Sequence, residues 1–175
     1  MSHRVKWAVF ALPLVLVSGV ASAERGAARG KLSHIDQKFV REAAQGGLAE
    51  VQLGQLAKDK AQSDEVKQFA QKMVDDHAKA NEVLKSVAAR ENLTLPAEPN
   101  AEQKAVYDRL SKLSGAQFER EYMAQMVKDH DKTVDLFTRE VEQGKNVELR
   151  DFAAQTLPTL SAHKNMAHHR HGSAM

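Results

Sequence analysis

At 175 residues the chain has room for one domain, or for one domain behind a targeting segment. It has no cysteine, which excludes disulfide staples, a thiol nucleophile and a lipid anchor on sulfur. Its 25 basic and 23 acidic side chains nearly balance and are interspersed, which excludes the basic footprint of a nucleic-acid or anionic-lipid binder.

The first segment reads as an export signal. His3, Arg4 and Lys6 precede an apolar run from Trp7 to Val17, and Ala21-Ser22-Ala23 offers the small-x-small pattern cut by signal peptidase. The run is short for a membrane span, which needs about 20 residues, so cleavage after Ala23 is expected, leaving no transmembrane segment. Losing Arg4 and Lys6 leaves 23 basic side chains against 23 acidic ones. The expected location is the periplasm, and nothing in the sequence supports outer-membrane association. Residues 24–32 lack apolar periodicity and read as a flexible lead-in.

Beyond it the composition is helical by propensity, and apart from Pro13 proline occurs only at Pro96, Pro99 and Pro158. A first helix is predicted from Ser33 to Ala61, with a stripe of Ile35, Phe39, Ala43, Gly46 or Gly47, Glu50, Leu53 and Ala57 spaced by three and four. Gly46 and Gly47 each cost this helix about 1 kcal/mol against alanine, which points to close approach by another helix. Ser63 caps a second helix carrying Val66, Phe69, Met73, His77, Leu84 and Val87, which stops near Glu91 ahead of Pro96. Asn100 with Gln103 forms a capping-box pattern before a short helix with Val106, Leu110 and Leu113. Ser114 with Gln117 repeats that pattern before a third long helix with Phe118, Tyr122, Met126, His130, Val134, Phe137 and Val141. Gly144 ends it and Asn146 caps the fourth long helix, with Leu149, Phe152, Leu160, His163 and Ala167. Pro158 should bend this helix, having no amide hydrogen, and residues 168–175 read as a frayed tail.

Four stripes of similar length, two tight hairpins and one long middle link make the fold class all-α, a four-helix bundle spanning 33–167 with a short extra helix in the link. The link from Asn92 to Ser114 is long enough for an up-down return or for the crossover of ferritin-like folds.

An internal repeat lies on two of the long helices. Met73-Val74-Asp75-Asp76-His77-Ala78-Lys79 recurs as Met126-Val127-Lys128-Asp129-His130-Asp131-Lys132, and each copy sets methionine and histidine on one helical face. These segments, with Ala43-Ala44-x-Gly46-Gly47-x-Ala49-Glu50-Val51 and Thr156-Leu157-Pro158-Thr159-Leu160-x-x-His163, resemble the bacterial domain of unknown function 4142 over essentially the whole mature chain. The resemblance implies an exported ferritin-like bundle and says little of activity. The label "predicted outer membrane protein" often given to that family sits poorly with a sequence lacking the alternating ten-residue strands of an outer-membrane barrel.

Four polar residues fall on the apolar stripes, one per long helix: Glu50, His77, His130 and His163. They lie about 12 to 18 residues from the turns near Gln62 and Lys145, roughly 18 to 27 Å at helical rise, and so can share a central layer. Bundle metal sites are built from such a layer, and three imidazoles with a carboxylate suit zinc, copper or iron, with Asp76 and Asp129 as further ligands or as acceptors that orient the histidines. The other reading is a hydrogen-bonded polar layer that fixes helix register without metal, in a structural or interaction bundle of the envelope. The absence of any Glu-x-x-His sequence argues against the di-iron carboxylate site. Met73, Met126 and Met166 add thioethers near the histidines, which suit copper(I) but more often merely fill a core. Tyr122 can donate its hydroxyl to Glu50 or an aspartate. The tail histidines His168, His169 and His171 suggest a second, surface capture of metal. No nucleophile elbow or glycine-rich phosphate loop is present, which leaves nucleophilic catalysis without support; a binder is the favoured reading, with a redox enzyme using the bound metal as a third reading.

Overall fold

The computed structural model describes residues 32–173, so the expected signal segment and nearly all of the lead-in lie outside the described residues. Five helices follow in order: α1 (His34–Lys60), α2 (Asp64–Glu91), α3 (Ala101–Ser111), α4 (Gly115–Gln143) and α5 (Val147–Ser173). There is no strand among the described residues.

Local chemistry sets most of the boundaries. At the start of α1 the Ser33 hydroxyl accepts from the Asp36 amide (3.2 Å) while the Asp36 carboxylate accepts from the Ser33 amide (2.9 Å), a reciprocal capping box. Ser63 caps α2 through the Val66 amide, and Asn100 and Gln103 form both arms of the box on α3. α2 closes in a Schellman turn: Asn92 takes the left-handed region (φ 55°), and the Leu93 amide reaches back to the Ala88 carbonyl at 2.8 Å. Asn146 caps α5 through the Leu149 amide at 3.0 Å.

The box expected from Ser114 and Gln117 does not form, and Ser114 makes no side-chain cap. Gly115, at φ 56°, turns the chain so that the serine hydroxyl misses the amides of the first turn. Gly144 does end α4, but at φ −56° rather than left-handed; space dictates the glycine, because a Cβ there would run into the carboxyl of Glu140. α5 passes through Pro158 as one helix and continues to Ser173, past the point where the sequence reads as frayed. His168 and Lys164 both reach the Asp131 carboxylate at 3.0 Å, which ties this last stretch to α4.

The connectivity follows from which ends meet. Gln62 and Ser63, at the α1–α2 turn, donate their amides to Glu119 at the start of α4. At the opposite end the amides of Lys145 and Asn146 donate to Asp36 at the start of α1, and Arg90 at the end of α2 pairs with Glu148 on α5. Hence α1 and α5 run one way and α2 and α4 the other. The link from α2 to α4 must travel the length of the bundle, with α3 lying against α1 and α4. This up-down-down-up order is the crossover connectivity of ferritin-like bundles.

The core is divided in two. One apolar cluster, near the α1–α2 turn, gathers Leu53, Phe69, Met73, Phe118, Tyr122 and Met126. The other, near the α4–α5 turn, gathers Phe39, Leu84, Phe137, Leu149, Phe152 and Leu160, with Phe39 and Phe137 edge-to-face at 4.8 Å. On every long helix the residue between the two clusters is polar and buried: Glu50, His77, His130 and His163. Close helix packing explains Gly47, where a Cβ would strike Asn81 of α2, and Gly54, where it would meet Val74 and the Ala70 carbonyl at 2.9 and 3.1 Å. Gly46 does not share that explanation; the nearest atom to its Cβ position is Gln103 Nε2 at 4.0 Å. No described helix is long and apolar enough to cross a membrane.

Candidate metal centre

α2, α4 and α5 each contribute one imidazole to the central layer. His77, His130 and His163 are 5%, 1% and 0% exposed, and their rings form a near-equilateral triangle with centroids 5.6, 5.4 and 5.4 Å apart. One nitrogen can be taken from each so that all three lie within 4.8 Å of one another.

Hydrogen bonds settle which nitrogens are on offer. His130 Nδ1 lies 3.0 Å from the Met126 carbonyl, which only accepts, so the ring carries its proton there and leaves Nε2 as a lone pair. That Nε2 sits 3.4 Å from His77 Nε2. His163 Nε2 lies 2.8 Å from the Asp76 carboxylate, which places its proton on Nε2 and its lone pair on Nδ1. Nδ1 of His163 is buried with no partner.

Electrostatics keep the rings neutral. Burial pulls the His77 pKa well below the ordinary value, assisted by the neighbouring His130 and His163 rings and opposed by Asp76. Burial likewise lowers His130 to about 4, with His163 adding to the effect. It lowers His163 too, although Asp76 resists. Three neutral imidazoles is the protonation state in which they act as metal ligands, so coordination at neutral pH requires no proton to be expelled from them.

The arrangement fits a metal ion dimensionally. Two nitrogens at 2.0–2.1 Å from one tetrahedral ion lie about 3.3–3.4 Å apart, the spacing that His77 and His130 already have. Bringing the widest pair, within 4.8 Å, to that spacing takes an approach of about 1.5 Å at most.

The remaining sequence candidates take other places. Asp76 stands behind His163 rather than in the triangle; burial would raise its carboxyl, but Lys72 and His163 outweigh that and hold it below the usual value. Glu50 stays outside the triangle on the far side of His130, with Oε1 4.0 Å from Nδ1, the nitrogen already committed to Met126. Its Oε2 has no partner, and burial, reinforced by the Asp129 charge, pushes its pKa well above the ordinary glutamate value. Asp129 accepts from Gln125 at 2.9 Å and is not among the groups clustered around the triangle. The Tyr122 hydroxyl is buried and reaches neither Glu50 nor an aspartate within hydrogen-bond distance. Met73 and Met126 belong to the apolar cluster, as core filler. His163 is separated from the tail histidines, of which His168 is exposed and paired with Asp131.

A cleft of about 360 Å³ opens between α1, α3 and α4 and reaches the Glu50 carboxyl. Its lining carries Glu42, Glu50, Glu102 and Asp129 against Arg41 and Lys132. A buried acid pair lies outside the residues that the sequence singles out. Asp36 and Glu140 are 1% and 0% exposed at the α4–α5 end. Burial works to raise Asp36, but hydrogen bonds from Ser33, Asn146 and Lys145 outweigh it and keep it ionised. Burial and the Asp36 charge push Glu140 up to about 8, and both of its carboxyl oxygens are buried without a hydrogen-bond partner. The available signal was the placement of Asp36 three residues before Phe39 and Glu140 three after Phe137, which puts both on core-facing stripes.

The family model for a domain of unknown function, DUF4142, matches residues 21–169. The chain belongs to the DUF4142 family. A comparison with curated proteins finds no match. Among solved structures, this DUF4142 chain is similar to a DUF305 fragment from Deinococcus radiodurans, at 17% identity and a TM-score of 0.71, over 82% of this chain and 99% of that one. It is also similar to a DUF305 protein from Streptomyces coelicolor, at 17% identity and a TM-score of 0.65, over 76% and 88% of the two chains. At that identity the likeness concerns the fold, an all-helical bundle shared by DUF4142 and DUF305 chains.

Proposed function

We propose that the protein is an exported metal-binding bundle that holds one transition-metal ion between His77, His130 and His163. The observation that carries this reading is the partnerless, buried Nδ1 of His163, in a cluster whose other two imidazoles already hold their Nε2 atoms at ligand spacing. A buried polar atom left unsatisfied costs about 1–3 kcal/mol, and a shared ion would remove that cost. An all-nitrogen set with no thiolate or carboxylate suits zinc, copper or iron(II) in that it selects neither the hard calcium or magnesium nor a thiolate cluster. The near-zero exposure of the rings favours holding or buffering the ion over turning over a substrate. The signal-like residues 1–23 support an envelope location, tested by fractionation and by a mature amino terminus at Glu24.

The test of binding is elemental analysis and titration of the protein purified without a histidine tag. One equivalent of metal, lost in His77→Ala, His130→Ala and His163→Ala alike, is the expected result. A second reading, a metal-free polar layer that fixes helix register, is favoured by the 3.4 Å contact between His77 and His130, which can be an N–H···N hydrogen bond. It predicts that the same substitutions lower stability while metal content stays at zero in every variant.

A further inference from the structure

We propose that the acid-lined cleft between α1, α3 and α4 is the route by which a divalent cation reaches the histidine cluster, with Asp129 and Glu50 as the carboxylates that receive it on the way. This rests on the reading of the cluster as a metal site. The cluster is sealed, so an ion needs a path, and the structure offers two sides. On the α2–α5 side, Asp76 is occupied by His163 and by the Lys72 ammonium, each at 2.8 Å, and the ammonium repels an arriving cation. On the other side lies the cleft, with four carboxyl groups against two basic side chains. Its 360 Å³ far exceeds the roughly 10–15 Å³ that a single water needs, so it is roomy enough for a hydrated ion.

Glu50 connects the cleft to the cluster. It lines the cleft, is 5% exposed, and leaves Oε2 without a hydrogen-bond partner, while Oε1 lies 4.0 Å from His130 Nδ1. The His130 ring is therefore the partition, with one nitrogen toward Glu50 and the other toward His77. Packing gives no reason for a partnerless carboxyl at this point, because Tyr122, the nearby hydroxyl, does not bond it. A cation handed inward accounts for the acid, for its orphaned oxygen and for the cleft in front of it.

Stopped-flow mixing of metal-free protein with cobalt(II), read by the absorption that nitrogen ligation produces, tests the route. A Glu50→Gln/Asp129→Asn variant is expected to load at least tenfold more slowly, since acid-lined clefts raise cation on-rates by 10-fold or more. Its stoichiometry and final spectrum should match the wild type, and release into excess chelator should slow in proportion, as it must for residues on a path rather than at its end. Asp129→Asn alone, a milder change, should slow loading several-fold and covers the case in which the double variant does not fold. Loading at wild-type speed in these variants would overturn the inference, as would loss of the bound cobalt spectrum, which would make the two carboxylates ligands. Faster loading in Lys72→Ala would place the route on the Asp76 side instead. If the wild type binds no cobalt, the metal reading itself fails, an outcome distinct from binding at unaltered speed.

Discussion

Asp76→Ala separates the orientation of a ligand from its presence. The Asp76 carboxylate holds the proton of His163 on Nε2 at 2.8 Å and so leaves the lone pair on Nδ1. Partners of this kind are worth about 10- to 100-fold in metal affinity, or about 1.4–2.7 kcal/mol. The Asp76 side chain is 28% exposed, so water can take over part of its role, and the expected loss lies near the tenfold end. Asp76→Asn keeps an acceptor oxygen without the charge and should lose less. The assay is competition against a chromogenic chelator at fixed pH, with thermal melts of the metal-free proteins as the control for folding. Undiminished affinity in Asp76→Ala, alongside abolished binding in His163→Ala, would refute the idea that this hydrogen bond sets the ligand.

Further outcomes follow from the same structure. Glu140, raised from 4.5 to about 8, holds a proton in the folded state that the unfolded chain releases, so its contribution to stability falls as pH rises from 4.5 to 8. Across pH 6.5 to 8 this amounts to about 2 kcal/mol, so chemical denaturation should show Glu140→Gln gaining that much on the wild type over the interval. His130 behaves oppositely: lowered to about 4, it contributes stability that is complete above pH 6.5 and lost as pH falls toward 4, about 3 kcal/mol in the metal-free protein, with His77 and His163 acting in the same sense. Denaturant titrations between pH 4 and 7 should show a steeper acid loss than in a His130→Gln variant. Gly54→Ala should destabilise by about 1–3 kcal/mol in spite of its better helix propensity, because Val74 and the Ala70 carbonyl would have to give way. A rise in melting temperature would contradict that packing.

The helices and the three histidines were legible because both depend on local information. Ser33, Ser63, Asn100 and Asn146 announce helix starts chemically, and a histidine midway along a three-four stripe faces the centre of any bundle the stripe builds. Glu50 lies on its stripe and in the same layer, yet a small rotation about the α1 axis decides whether it meets the triangle or the back of His130, and spacing does not encode that rotation. Direction of the α2–α4 link was likewise hidden, being fixed by contacts such as Glu119 with the Gln62 and Ser63 amides, between residues more than 50 positions apart. Spacing from Phe39 and Phe137 turns Asp36 and Glu140 toward the core, but that the two acids meet is fixed only when the ends of α1 and α4 are brought together.

Anomalous diffraction from crystals of the untagged protein grown with zinc, recorded on both sides of the zinc edge, tests the central claim most directly. A single strong peak between His77 Nε2, His130 Nε2 and His163 Nδ1, at about 2.0–2.1 Å from each, is the result the structure predicts. A map with no peak inside that triangle, or with zinc only on the surface around His168, His169 and His171, would contradict it.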